Sequence, residues 1–138
     1  MNTLGWINCK IDSTPEIVLV EASSEVRAIW LTVAMRLQLR LGLYSRPYEF
    51  LLDLSLFTDS TKFYLDQDLN ENRGEGLKLA KVIRSQFASE IFLITSYPRR
   101  NFKAELALGI INDVYGKYPW PFTLENAFDQ ANDLNTSI

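Results

Sequence analysis

The sequence predicts an α/β fold, a three-layer sandwich around a mainly parallel central sheet. Three observations predict it. Short apolar runs are continuous rather than alternating, as in strands covered on both faces. Between them lie stretches whose apolar residues recur every three or four positions, the spacing of amphipathic helices. The two kinds alternate along a chain of 138 residues, a length that suits one domain spanning 1–138.

Taken in order, Leu4–Ile11 alternates in part and reads as an extra edge strand. Only Asp12–Pro15 separates it from the next run. That is hairpin length, too short for a parallel crossover, so any pairing with that run is expected to be antiparallel. Glu16–Glu21 is the first continuous run. Val26, Trp30, Val33, Leu37 and Leu41 then keep one helical face, with Ser23 or Ser24 as cap and Glu25 in the first turn. Leu37, Leu39, Leu41 and Leu43 also alternate as a strand would, but the longer helical face is preferred. Tyr48–Leu56 reads as a second buried strand. The stretch from Thr58 to Gly76, rich in Asp, Asn, Ser, Thr and Gly, reads as one long loop with a solvated acidic face. Leu77, Ala80, Ile83 and Phe87 mark a helix, Glu90–Ser96 a third strand, and Phe102, Leu106 and Ile110 another helix. Asp113–Tyr118 is a weaker fourth strand. A last helix carries Leu124, Phe128, Ala131 and Leu134 after Thr123, an effective cap residue.

Composition excludes several chemistries. There is no histidine, so neither a Ser-His-Asp nor a Cys-His site exists within the chain, nor any histidine metal ligand. Cys9 is the single cysteine, which excludes an internal disulfide and a cysteine-ligated zinc and agrees with a reducing, cytoplasmic setting. The net charge of -3 and pI of about 5.0 carry no nucleic-acid footprint. No apolar run approaches the roughly 20 residues of a membrane span. Met1 to Lys10 lacks the basic-then-apolar order of a signal peptide.

In an open parallel sheet, ligands and chemistry collect at the carboxyl ends of the strands. Those ends carry Glu21, Asp53, Thr95 with Ser96, and Lys117. Two carboxylates, hydroxyls and an ammonium on one edge suit a divalent cation and a phosphoryl group, and a carboxylate can itself form an acyl phosphate. Each residue also has a plain structural reading. Asp53 would cap a loop, Glu21 would be solvated, Thr95 would cap the next helix, and Lys117 would lie on the surface.

On these residues the chain resembles the receiver domain of two-component response regulators, which has a flavodoxin-like fold. I-V-L-V-E-A-S-S-E-V-R resembles its first strand, acidic pair and opening helix. Y-E-F-L-L-D-L-S-L resembles the third strand and phosphoacceptor, G-L-K-L-A-K-V-I-R the following helix, and E-I-F-L-I-T-S-Y the fourth strand with its switch threonine. D-V-Y-G-K and P-F-T-L-E resemble the fifth strand, its lysine, a proline and the last helix. The resemblance implies Asp53 as phosphoacceptor, Thr95 and Lys117 as phosphoryl contacts, and Glu21 with Asp53 as metal ligands.

The sequence also departs from that pattern. Ala22 stands where the second acid would be, so Mg²⁺ is expected to bind weakly and no cofactor to be required. Phe57 replaces a proline, and Val114 takes the aromatic switch position with Tyr115 one step off. If Pro121-Phe122 sets the register, Trp120 takes the place of Lys117. Only Gly42 to Pro47 separates the first helix from the next run, so the second strand and helix of the family are expected to be missing, with Leu4–Ile11 filling the vacated edge. A Toprim-type metal nuclease would need Asp-x-Asp, and the corresponding pair is Asp53 and Ser55.

Two functions follow from the resemblance. In the first, favoured by Ala22, Phe57, Val114 and the shortened sheet, the chain is a pseudo-receiver, a phosphorylation-independent interaction module and not an enzyme. In the second it is a response regulator phosphorylated on Asp53 by a histidine kinase or phosphotransfer protein. In both, the partner is a signalling protein or sensor kinase, with homodimerisation open and no membrane or direct nucleic-acid partner expected. Tyr115, Tyr118, Trp120 and Phe122 are the expected partner-binding anchors, since rigid aromatic side chains anchor interfaces well.

Overall fold

The computed structural model describes residues 5–69 and 72–117. Six of its strands form one sheet: β1 (Trp6–Ile7), β2 (Ile17–Val20), β3 (Leu41–Tyr44), β4 (Lys62–Asp66), β7 (Ile91–Ile94) and β8 (Asp113–Tyr115). Their order is β1-β3-β2-β4-β7-β8. All neighbours run parallel except β1, which pairs antiparallel with β3 through Trp6 opposite Gly42 and Ile7 opposite Leu41. The expected N-terminal edge strand is thus present. It lies beside β3 rather than beside the run that follows it in sequence.

The parallel strands read as continuous apolar runs because alternate residues enter two different cores. Val18, Val20, Phe63, Leu65, Ile91 and Leu93 face one, and Ile17, Leu19, Tyr64, Phe92 and Ile94 face the other. Helix α1 (Ser24–Leu37) covers the second face with Trp30 and Ala34. Helices α2 (Pro47–Asp53) and α3 (Glu75–Arg84) contribute Phe50, Leu79, Ala80 and Ile83 to the first. A 3-10 turn at Arg99–Phe102 and the short α4 (Lys103–Ala107) add Phe102 and Leu106 to that side.

The second strand and helix, expected to be missing, are both present. Helix α1 starts where Ser23 Oγ accepts from Val26 N (3.3 Å). It stops at Gln38, whose left-handed φ of 55° ends the helical path while its N–H still donates to Ala34 O. Leu37 therefore belongs to the helix, whereas Leu41 and Leu43 belong to β3, which runs parallel to β2.

The expected strand over Tyr48–Leu56 is a helix. Pro47 sits at its first turn, where a missing N–H costs nothing and the fixed φ is already helical. Phe50 and Leu54 turn inward at helical spacing, while Tyr48, Leu51 and Leu52 remain 70%, 42% and 60% exposed. Apolar residues on the outer face had disguised an amphipathic helix as a buried run. The following 3-10 turn, Leu54–Leu56, leads to Phe57. That residue is a core side chain, stacked on Phe50 and edge-on to Phe63.

The expected long loop over Thr58–Gly76 holds the strand β4, placed between β2 and β7. It also holds a two-stranded hairpin, β5 (Asp68–Leu69) with β6 (Asn72–Arg73). Gly76, in the first turn of α3, lies so close to the end of β4 that a Cβ there would meet Asp66 O at 2.5 Å and Gln67 Cα at 2.8 Å. The start of α3 is thereby held against the carboxyl end of β4. The last helix expected from sequence lies outside the described residues.

Candidate functional site

The carboxyl edge of the sheet brings together Glu21, which follows β2, Asp66, which ends β4, Thr95, which follows β7, and Lys117, which lies just past β8. Lys117 Nζ donates to Glu21 Oε1 at 2.9 Å and lies 2.5 Å from Asp66 Oδ1. The two carboxylate side chains are 1% and 4% exposed, the lysine side chain 33%. Asp66 Oδ1 also accepts from Asp68 N (3.1 Å), which folds the start of the hairpin over the acid. Thr95 Oγ1 accepts from Tyr97 N (3.2 Å), and Thr95 N donates to Tyr115 O (2.9 Å).

Burial controls the electrostatics. Desolvation of Glu21, reinforced by the neighbouring Asp66 carboxyl, raises its pKa to about 7 against the pull of Lys117. The two carboxylates in turn raise the pKa of Lys117 despite its own burial. The backbone of the acidic turn is held from the side by Arg27, whose Nη1 donates to Glu21 O (2.7 Å) and Ala22 O (2.8 Å). Ala22 itself is exposed and supplies no carboxylate.

The structure unites Glu21, Thr95 and Lys117 as the sequence led us to expect, but Asp66 stands where Asp53 had been placed. Asp53 ends α2 and is fully buried. Tyr44 Oη donates to its Oδ2 (2.7 Å) and accepts from Trp6 Nε1 (2.8 Å). This indole–phenol–carboxylate chain ties the N-terminal strand to α2. Tyr44→Phe removes a hydrogen bond to a buried carboxyl and is expected to lower stability by roughly 1.5–3 kcal/mol, measured by urea unfolding.

Polar residues on both sides give the segment around Asp66 the pattern of a solvated loop and hide a run of only three apolar residues, Phe63-Tyr64-Leu65. The overlooked signal is that this run ends directly in an acid and is closely followed by the α3 motif G-L-K-L-A-K-V-I-R. Ser96 is exposed at the same edge. Tyr115 is half-buried with its ring against Phe92 at 5.4 Å, so it is a packing residue here. Tyr118, Trp120 and Phe122, the other expected anchors, lie outside the described residues.

Glu21 and Asp66 are the residues that would hold a Mg²⁺. Among the described residues Glu21 Oε2 is buried without a hydrogen-bond partner, and Mg²⁺ is commonly held by one or two carboxylates with water and phosphate completing its shell. Among the described residues no group of three or more His, Cys, Asp or Glu could hold a metal ion. A bound Mg²⁺ would neutralise phosphoryl charge at this edge. Among the described residues no helix is long and apolar enough to cross a membrane.

No protein-family model and no curated protein matches the chain. Among solved structures it is similar to the signal receiver domain of a response regulator from Bermanella marisrubri. The two are 19% identical, the match covers 86% of this chain and 95% of that chain, and the TM-score is 0.57. The likeness is one of fold: this chain has the mainly parallel α/β architecture of a flavodoxin-like receiver.

Proposed function

We propose that the chain is a receiver-type signalling module in which Asp66 accepts a phosphoryl group from a partner protein. The observation that carries this reading is the contact of one ammonium, Lys117 Nζ, with the carboxylates of Asp66 and Glu21 at the carboxyl edge of the sheet. The presence of β3 and α2 removes one of the departures that favoured a pseudo-receiver, the shortened sheet.

In the proposed reaction an Asp66 carboxylate oxygen attacks the phosphorus of the donor. The bond from phosphorus to the leaving nitrogen or oxygen breaks, and the leaving group keeps the electron pair. The product is an acyl phosphate. Lys117, already on Asp66, pairs with the new phosphoryl oxygens, while the Thr95 hydroxyl on the neighbouring strand end offers a donor. Since this chain has no histidine, a phosphohistidine donor must lie outside the 138 residues. A charge change at Asp66 would then bias the loops after β4 and β7 and so alter a partner-binding face.

Ala22 favours a second reading, a phosphorylation-independent interaction module, because the edge offers one acid fewer to a cation. Incubation with a small acyl-phosphate donor and Mg²⁺, followed by intact-mass measurement, separates the two. The phosphoacceptor reading expects one added phosphoryl group, retained in Asp53→Asn and lost in Asp66→Asn. An unmodified wild-type protein under saturating donor would favour the second reading.

A further inference from the structure

Among the described residues Lys117 lies beyond the last ladder bond at this edge, which runs from Thr95 N to Tyr115 O, and, chain neighbours aside, no atom lies within 4 Å of where a Cβ on Gly116 would sit. A lysine on such a segment has a long stem and many conformations to lose. Yet its ammonium meets both buried carboxylates. The tether comes from α1: Trp30 Nε1 donates to Lys117 O at 3.0 Å. Trp30 is fully buried, and an indole N–H in that position needs an acceptor. Its ring also packs edge-on against Tyr64 at 5.0 Å, two residues before Asp66 on β4. One side chain thus touches the strand that carries the acid and the backbone that carries the base.

We infer that Trp30 is a positioning residue: its indole N–H anchors the Lys117 backbone so that the ammonium spans Glu21 and Asp66. The consequence for phosphoryl transfer rests on the reading of Asp66 given above, whereas the anchoring of Lys117 does not.

The test uses the full chain with Trp30→Phe, which keeps an aromatic ring and removes the donor. Two readouts are taken. The first is acylation of Lys117 by an amine-reactive ester, followed by peptide mass mapping with exposed Lys81 as internal control. Loss of one ordinary hydrogen bond corresponds to about a fivefold change in an equilibrium, so Lys117 acylation is expected to rise by about that factor while Lys81 is unchanged. The second is the rate of phosphorylation by a small donor. It is expected to fall by about fivefold in Trp30→Phe but to show no further fall when Lys117→Met is already present, because a residue acting through Lys117 is non-additive with it.

Unchanged Lys117 acylation, or a Trp30→Phe effect of the same size with and without Lys117, overturns the inference. If the wild type accepts no phosphoryl group, the Asp66 reading fails and the acylation readout alone decides the role of Trp30. If Trp30→Phe does not fold, benzothienylalanine at position 30 replaces the N–H with sulfur in nearly the same shape, and the same outcomes apply.

Discussion

Replacing Lys117 with methionine is expected to lower the unfolding free energy by roughly 2–3 kcal/mol at pH 8 and by much less at pH 5. Removing one member of a buried ion pair costs about 3–5 kcal/mol, and the one-third exposure of the lysine reduces that figure here. The variant leaves Glu21 and Asp66 facing each other with no ammonium between them. The pH dependence follows from Glu21, whose pKa rises on folding from 4.5 to about 7. A carboxyl raised on folding contributes its stability in full below 4.5 and loses it as pH climbs through the folded value. Lys117 is what restrains that rise, so without it the folded pKa of Glu21 moves higher and the loss on ionisation grows. Denaturant midpoints of wild type and Lys117→Met, compared between pH 5 and 8, should diverge with increasing pH. A gap that stays constant over this range would contradict the charge balance assigned to the edge.

Phe63→Ala is expected to have the largest effect on the fold, roughly 3–5 kcal/mol. Phe63 is fully buried on β4, the strand between β2 and β7. Its ring meets Phe57 at 5.6 Å, Phe50 at 5.9 Å and Phe87 at 6.3 Å, so it joins the turn after α2 and the segment after α3 to the sheet. Truncation removes the transfer free energy of the ring and leaves a cavity that three separate elements would have to collapse to fill. Against a typical total of about 5–15 kcal/mol, such a loss is a large fraction, and urea unfolding with an unchanged slope would register it. A cost below about 1 kcal/mol would mean that β4 is not the centre of the core. Because β4 ends in Asp66, the same measurement bears on the site.

The parts of the fold that were legible in sequence are those in which local pattern and burial agree. β2 and β7 carry four consecutive buried residues each, α3 presents one clear apolar face, and α1 turns Trp30 inward with Val26, Val33 and Leu37 packed beside it. The misread parts are those in which they disagree. α2 exposes Tyr48, Leu51 and Leu52, so its outer face imitates the buried side of a strand. β4 is central, yet only Phe63, Tyr64 and Leu65 are apolar, and polar neighbours such as Asp59, Gln67 and Asp68 concealed them. β3 follows α1 so closely that its leucines continued the helical spacing, and only the left-handed turn at Gln38 separates them.

These local errors had one shared consequence for the site. A strand over Tyr48–Leu56 puts Asp53 at a strand end and leaves Asp66, which ends β4, in a loop. Glu21, Thr95 and Lys117 were legible because each lies close to a correctly read strand. Their chemistry pointed to a carboxylate partner on the neighbouring strand, and tertiary structure supplies Asp66 there. Such a pairing across the sheet has no local signature in the sequence of either residue.

The most direct test of the central claim is chemical mapping of the acceptor. The protein is treated with a small acyl-phosphate donor and Mg²⁺, reduced with borohydride, and digested for peptide sequencing by mass spectrometry. An acyl phosphate is reduced to the corresponding alcohol, so the modified aspartate becomes homoserine. The account predicts homoserine at position 66, with Asp53 intact in its bond to Tyr44. Homoserine at position 53, or none at any position, would contradict it.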